Sequence, residues 1–223
     1  MISKIQNLNN LKGGLDKKWP LRKNNKNELK CDILQKIAYT INDLNMQLNS
    51  IDNWNRKDIV YVIMLCTWIQ EATKALFECY PEDLKSNFKY EKENELNIAR
   101  KYLEAIRSFA CAHPLKTNKH EKYGFNGNLI CVDIVIDSKM ASLFSFKKIG
   151  YIDFEGIHRE DKTKNNFYLS CYSKENQKKM EFSFYIGCNY SDIYKTVSLF
   201  IDKIVCFDNY LAKLKCKEFL KYE

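Results

Sequence analysis

The stretch IDNWNRKDIVYVIMLCTWIQEATKALFECYP, residues 51–81, decides how the rest of the chain is read. From Ile59 to Ile69 almost every residue is apolar, and Gln70 and Glu71 end the run. That is well short of the roughly 20 apolar residues that cross a bilayer, so no membrane span is expected. A helix that is apolar nearly all round is buried on every side. Asp52 or Asn53 can cap its start, and Pro81 stands just beyond its end. The chain is therefore expected to build a helical bundle around this segment.

Upstream, Leu29, Ile33, Leu34, Ile37, Ile41, Leu44 and Leu48 recur at the spacing of one helix face, which predicts a helix over about 28–48. Before it, residues 1–26 carry seven Lys or Arg against one acid, Asp16, with a Gly13-Gly14 pair and the polar run RKNNKN. This composition is that of a flexible basic arm. Downstream, Leu96, Ala99, Tyr102, Leu103, Ile106, Phe109 and Ala110 mark a third helix from about Glu91 to Ala112. Pro114 disfavours the helical conformation at His113 and ends it.

Beyond Gly124 the hydrophobic period changes from 3.6 to 2. NLICVDIVID, KKIGYIDFEG, NNFYLSCYS and KKMEFSFYIG read as four strands, in the last of which Met180, Phe182, Phe184 and Ile186 alternate with polar neighbours. A one-faced antiparallel meander is expected from this pattern. The final segment, which Ser191 can cap, places Ile193, Val197, Phe200, Ile204, Phe207, Leu211 and Leu214 in a heptad seam. That seam can cover the sheet or meet a partner helix. The expected fold is α+β: an arm over 1–26, a helical bundle over 27–123, then a four-stranded antiparallel meander and a long C-terminal helix over 124–223.

The composition narrows the function. A formal charge of +8 attracts polyanions, which makes nucleic acid a reasonable partner. Nine cysteines with no CxxC pair suit a reducing cytosol, and MISKIQNLNNLKGG lacks the apolar core of a signal peptide. A cytoplasmic location follows as the expectation. No Walker A, G-x-G-x-x-G or G-x-S-x-G sequence occurs, so neither nucleotide hydrolysis on a phosphate-cradling loop nor acyl transfer is indicated, and no cofactor is expected. Asp153, Glu155 and His158 could hold a divalent metal, but no lysine stands two residues after Glu155, and no metal is assigned. Tyr151, Tyr168, Tyr172 and Tyr185 could stack nucleic-acid bases, although aromatics in half-buried strands are ordinary packing residues.

RSFACAHPLKTNKH, residues 107–120, gathers the strongest chemistry. Arg107 lies at the edge of its helix's apolar face, and Pro114 lets His113 swing away from that face. Histidine can take a proton from a ribose 2′-hydroxyl or give one to the leaving 5′-oxygen. Arginine can hold the phosphate and stabilise the charge that builds on it. Glu71, a carboxylate in the most apolar helix, would gain from pairing with Arg107 and would orient it, or else it begins the solvent-facing end of its helix with Gln70 and Lys74. Ser108, His120 and Tyr123 are the candidate substrate contacts, since the loop TNKHEKYGF can reach the same cleft, although a loop histidine is also an ordinary surface residue.

The motif Arg107-x5-His113 at the end of a bundle helix resembles the HEPN superfamily, ribonuclease and nucleotide-binding domains common in prokaryotic toxin and phage-defence systems. The resemblance covers about residues 28–115. Ser108 matches the polar residue that many members carry after the arginine, whereas Leu115 stands where a tyrosine is frequent. It implies metal-independent RNA cleavage, or RNA binding without cleavage, at a composite site of a homodimer, with Arg107 and His113 as the site residues. A mobile-element or phage-defence locus fits that reading. The alternative is a non-catalytic interaction protein whose C-terminal seam binds a protein partner and whose histidines are structural.

Overall fold

Asn55 starts the central helix, one turn later than Asp52 or Asn53 would. In the computed structural model its side chain accepts from the Lys57 amide at 2.8 Å, and its own amide donates to Asp58 Oδ2 at 2.8 Å. This reciprocal capping box satisfies donors that the first helical turn leaves open. The residues before it, Leu48–Asn53, already form a 3-10 helix and are not available as a cap. The structure describes residues 2–15, 26–111, 129–136, 147–153, 156–158, 165–173 and 184–214.

The helices are α1 (Lys26–Gln47), α2 (Arg56–Glu78), the short α3 (Glu82–Ser86), α4 (Glu93–Ala110) and α5 (Tyr190–Lys213). The bundle is built on α2, which packs against α1, α4 and α5. Ile59, Val62, Ile63, Leu65, Cys66, Ile69 and Leu76 are almost wholly buried. Each large aliphatic side chain removed from water contributes about 1.5–3 kcal/mol. The buried hydroxyls of Thr67 and Thr73 donate to the carbonyls of Ile63 and Ile69, so neither leaves an orphan donor. Length and composition alone would let α2 cross a bilayer. Its burial among three helices is that of a core element. It is not buried all round, however: Lys57, Tyr61, Trp68, Glu71, Lys74 and Glu78 form a solvent stripe at steps of three, four and seven residues.

The heptad seam of the last helix holds, but its partner differs from either expectation. Ile193, Val197, Phe200, Ile204, Phe207 and Leu211 are buried, and α5 packs on α2 and α4 within the chain. Phe207 stacks on Phe77 at 4.6 Å and meets Tyr80 and Phe88 edge-on at 5.0 Å each. The seam therefore closes the bundle and is not offered to a partner helix. Its start is capped from outside: Tyr190 donates its amide to Asn166 Oδ1 at 2.9 Å, while Ser191 lies inside the helix.

The N-terminal residues depart from the basic arm that their composition suggests. Over residues 2–15, Ile5 and Leu15 are buried in the main core. Ile5 exchanges two hydrogen bonds with the Asn45 side chain, at 2.8 and 3.0 Å. Asp208, fully buried on α5, accepts the amides of Lys12 at 2.5 Å and Leu15 at 2.6 Å. Gly13 takes a positive φ of 79°, which favours glycine. At Gly14 a Cβ would overlap the Asp208 carbonyl and lie 2.7 Å from the Ala212 nitrogen. The two glycines, read as a sign of flexibility, let the segment lie against α5. Residues 16–25 lie outside the described residues.

The sheet holds β1 (Leu129–Val135), β2 (Lys147–Asp153), β4 (Phe167–Ser173) and β5 (Phe184–Cys188), the last meeting the strand expected over 178–187 only at 184–187, since residues 178–183 lie outside the described residues. A three-residue strand, β3 (Gly156–His158), adds to them. The order is β1-β4-β5-β2-β3, so the expected meander is not what forms. The β1–β4, β4–β5 and β2–β3 pairs are antiparallel, whereas β2 and β5 run parallel. Alternation identifies strand residues, but it carries no information on which edges pair. Ile134, Phe167, Leu169, Ile186 and Cys188 bring the sheet into the same core as the helices.

Candidate functional site

Helix α4 positions Arg107 by burying what precedes it. Ala105 and Ile106 are wholly buried, Arg107 is exposed and Ser108 is half-buried. The helix ends at Ala110, where the Cys111 amide donates to the Arg107 carbonyl at 2.9 Å. A cation in the last turn complements the partial negative charge of a helix C-terminus. Among the described residues, no carboxylate pairs with the guanidinium. It stands at the end of the bundle as an accessible fork of donors. His113, His120 and Tyr123 lie outside the described residues.

Glu71 and Arg107 are not brought together. Glu71 sits on the solvent stripe of α2 and is exposed, so burial imposes no demand for a counter-ion. It lines a cleft of about 390 Å³ between α2, α4 and α5, together with Arg100 and Glu104 of α4. Arg107 is not part of that lining, since seven residues beyond Arg100 place it about 10 Å further along the helix. The expected orienting role of Glu71 therefore has no support within one chain.

No family model, curated protein or solved structure matches this chain.

Each cation of the cleft is matched by a carboxylate. Lys203 bonds Glu93 at 2.8 Å, Lys85 bonds Glu82 at 2.6 Å, and Lys74–Glu78 and Arg100–Glu104 lie at 4.0 and 3.9 Å. A groove whose cations are already matched does not collect polyanions. Beside it, Tyr90 donates to Asp202 at 2.8 Å, and Lys92 bonds the same carboxylate at 3.0 Å. Burial first, and then the neighbouring Asp202, hold the Tyr90 hydroxyl well above the usual tyrosine range. These are bracing contacts between α5 and the start of α4.

Other groups with chemical potential are quiet. Burial pushes the Cys66 thiol far up, and burial followed by the Asp202 charge raises Cys206, so neither is an activated nucleophile. Among the described residues no group of three or more potential metal ligands exists. Asp153 pairs with Gly156, and His158 pairs with Tyr151, in the β2–β3 ladder; Glu155 lies outside the described residues. Tyr168 is buried in the core, where it acts in packing and offers no stacking surface.

Two features were not read from the sequence. Asp208 falls four residues after Ile204 and three before Leu211, inside the apolar stripe, and a carboxylate there requires donors. The Gly13-Gly14 pair is the complementary signal, since it marks where backbone amides can approach a helix closely. Gln70 is the other, its amide oxygen buried without a hydrogen-bond partner among the described residues.

Proposed function

We propose that the chain is a cytosolic, metal-independent RNA endonuclease of HEPN type, or an RNA-binding relative that has lost cleavage, acting as a homodimer. The observation that carries the reading is Arg107: an exposed guanidinium on the last turn of a bundle helix, with no carboxylate partner among the described residues, six residues before His113. A planar fork of donors at that position suits a phosphate bridging two nucleotides. In this reading His113 withdraws the 2′-hydroxyl proton as the 2′-oxygen attacks phosphorus. A histidine of the composite site returns a proton to the departing 5′-oxygen, leaving a 2′,3′-cyclic phosphate and a 5′-hydroxyl. Arg107 stabilises the charge on the phosphoryl oxygens during the displacement. Ser108, half-buried beside it, is a substrate contact, as are His120 and Tyr123.

The excess of Lys and Arg supports a polyanionic substrate. Purified protein is incubated with a structured RNA, and binding and cleavage are read separately. Arg107→Ala is expected to weaken binding and abolish cleavage, whereas His113→Ala should abolish cleavage with binding kept. Cleavage that survives both substitutions overturns the assignment of the site. RNA binding without cleavage in the unsubstituted chain supports the inactive relative.

A further inference from the structure

We propose that the cleft between α2, α4 and α5 binds a small organic cation, an amine or guanidinium carried on a short aliphatic stem. Its floor is apolar, with Leu96 and Phe200 buried and Phe77 half-buried, and offers a seat for the stem. Two polar atoms at the floor are buried acceptors. Gln70 Oε1 is buried and receives no hydrogen bond among the described residues. Thr73 commits its hydroxyl proton to the Ile69 carbonyl at 2.7 Å, which leaves its oxygen able only to accept. A buried acceptor without a donor is costly, and a ligand bearing donors removes that cost once the Gln70 amide turns toward the cleft.

The charges at the rim give the same sign. Each cation there faces a carboxylate, at distances from 2.6 to 4.0 Å. Glu71 takes part in no ion pair or hydrogen bond among the described residues, so the unmatched charge of the cleft is negative. A donor-rich cation complements the free carboxylate, whereas an anion would find each cation of the rim already matched by a carboxylate. The volume of about 390 Å³ lies at the small end of ligand pockets, which suits a compact ligand. The site is separate from Arg107 and does not depend on RNA cleavage.

Titration calorimetry on the full chain tests this with agmatine and n-butylamine as probes and n-butyrate and 1-butanol as matched controls. Agmatine is expected to bind at one site per chain, with butylamine weaker and both controls silent. Glu71→Gln should weaken agmatine about tenfold, equivalent to about 1.4 kcal/mol, and Gln70→Leu should also weaken it, while Arg107→Ala leaves it unchanged. Glu71 is exposed, and circular dichroism verifies that its variant keeps the native helix content. Silence of both amines up to about 10 mM, equal affinity in Glu71→Gln, or butyrate binding as well as butylamine overturns the proposal.

Discussion

Asp208→Asn is expected to release the N-terminal segment from the bundle. The native carboxylate is fully buried and accepts two backbone amides, from Lys12 and Leu15. An asparagine of the same shape has one oxygen and one NH2 group, and the NH2 group must face one of the two amide donors. One charge-assisted bond is lost, the other becomes neutral, and a buried N–H is left without an acceptor. Bonds to charged groups contribute about 1.5–3 kcal/mol and neutral ones about 1, which gives a destabilisation of about 2–4 kcal/mol. Gly14→Ala attacks the same clasp from the other side, because its Cβ would collide with the α5 backbone. The two changes should therefore be strongly non-additive, each undoing what the other needs. Urea unfolding followed by circular dichroism gives the energies, and hydrogen exchange at Lys12 and Leu15 reports the clasp itself. Unchanged protection of those amides with a loss below about 0.5 kcal/mol in both variants would refute the reasoning.

Asn55→Ala removes one half of the α2 capping box and should cost about 1 kcal/mol in urea unfolding, and Asp58→Ala should add a further loss in that background, because Asp58 accepts from the residue 55 backbone amide, which the first change keeps. Thiol titration should find exposed Cys31 reactive in the folded protein and buried Cys66, Cys79 and Cys188 protected, all nine cysteines reacting in denaturant. Tyr190, pushed up to about 12 by burial and then by nearby Asp58, holds its proton more tightly folded than unfolded. Its contribution to stability is thus complete below about pH 10 and lost as the pH rises from there through about 12. Tyrosinate absorbance should therefore rise together with loss of helical signal, and ionisation of every tyrosine ahead of unfolding would contradict it.

The helices and strands were readable because each buries one face, and the spacing of Ile59 to Leu76 or of Ile193 to Leu211 records that face directly. Ends were less so: Asn55 replaced Asp52 or Asn53 as cap because a 3-10 helix occupied the earlier residues. Sheet order was not readable, since alternation in Phe184–Cys188 is the same whichever neighbour it meets. The partner of the C-terminal seam was misjudged for a related reason, because a heptad face is complementary to any apolar surface, and α2 and α4 supplied it. Composition misled at residues 2–15, where Ile5 and Leu15 outweigh the surrounding lysines. At the candidate site the exposure of Arg107 followed from its place beside Ile106, whereas the separation of Glu71 from it depends on how far α4 extends along α2.

Analysis of the RNA ends made by the full chain in EDTA bears most directly on the ribonuclease proposal. Attack by the 2′-oxygen predicts a new 2′,3′-cyclic phosphate and a 5′-hydroxyl, made by the unsubstituted chain and absent with Arg107→Ala or His113→Ala. A single 2′-deoxy nucleotide at the scissile position should block the cut. New 3′-hydroxyl ends, cleavage at the 2′-deoxy position, or undiminished cleavage by both variants would contradict it.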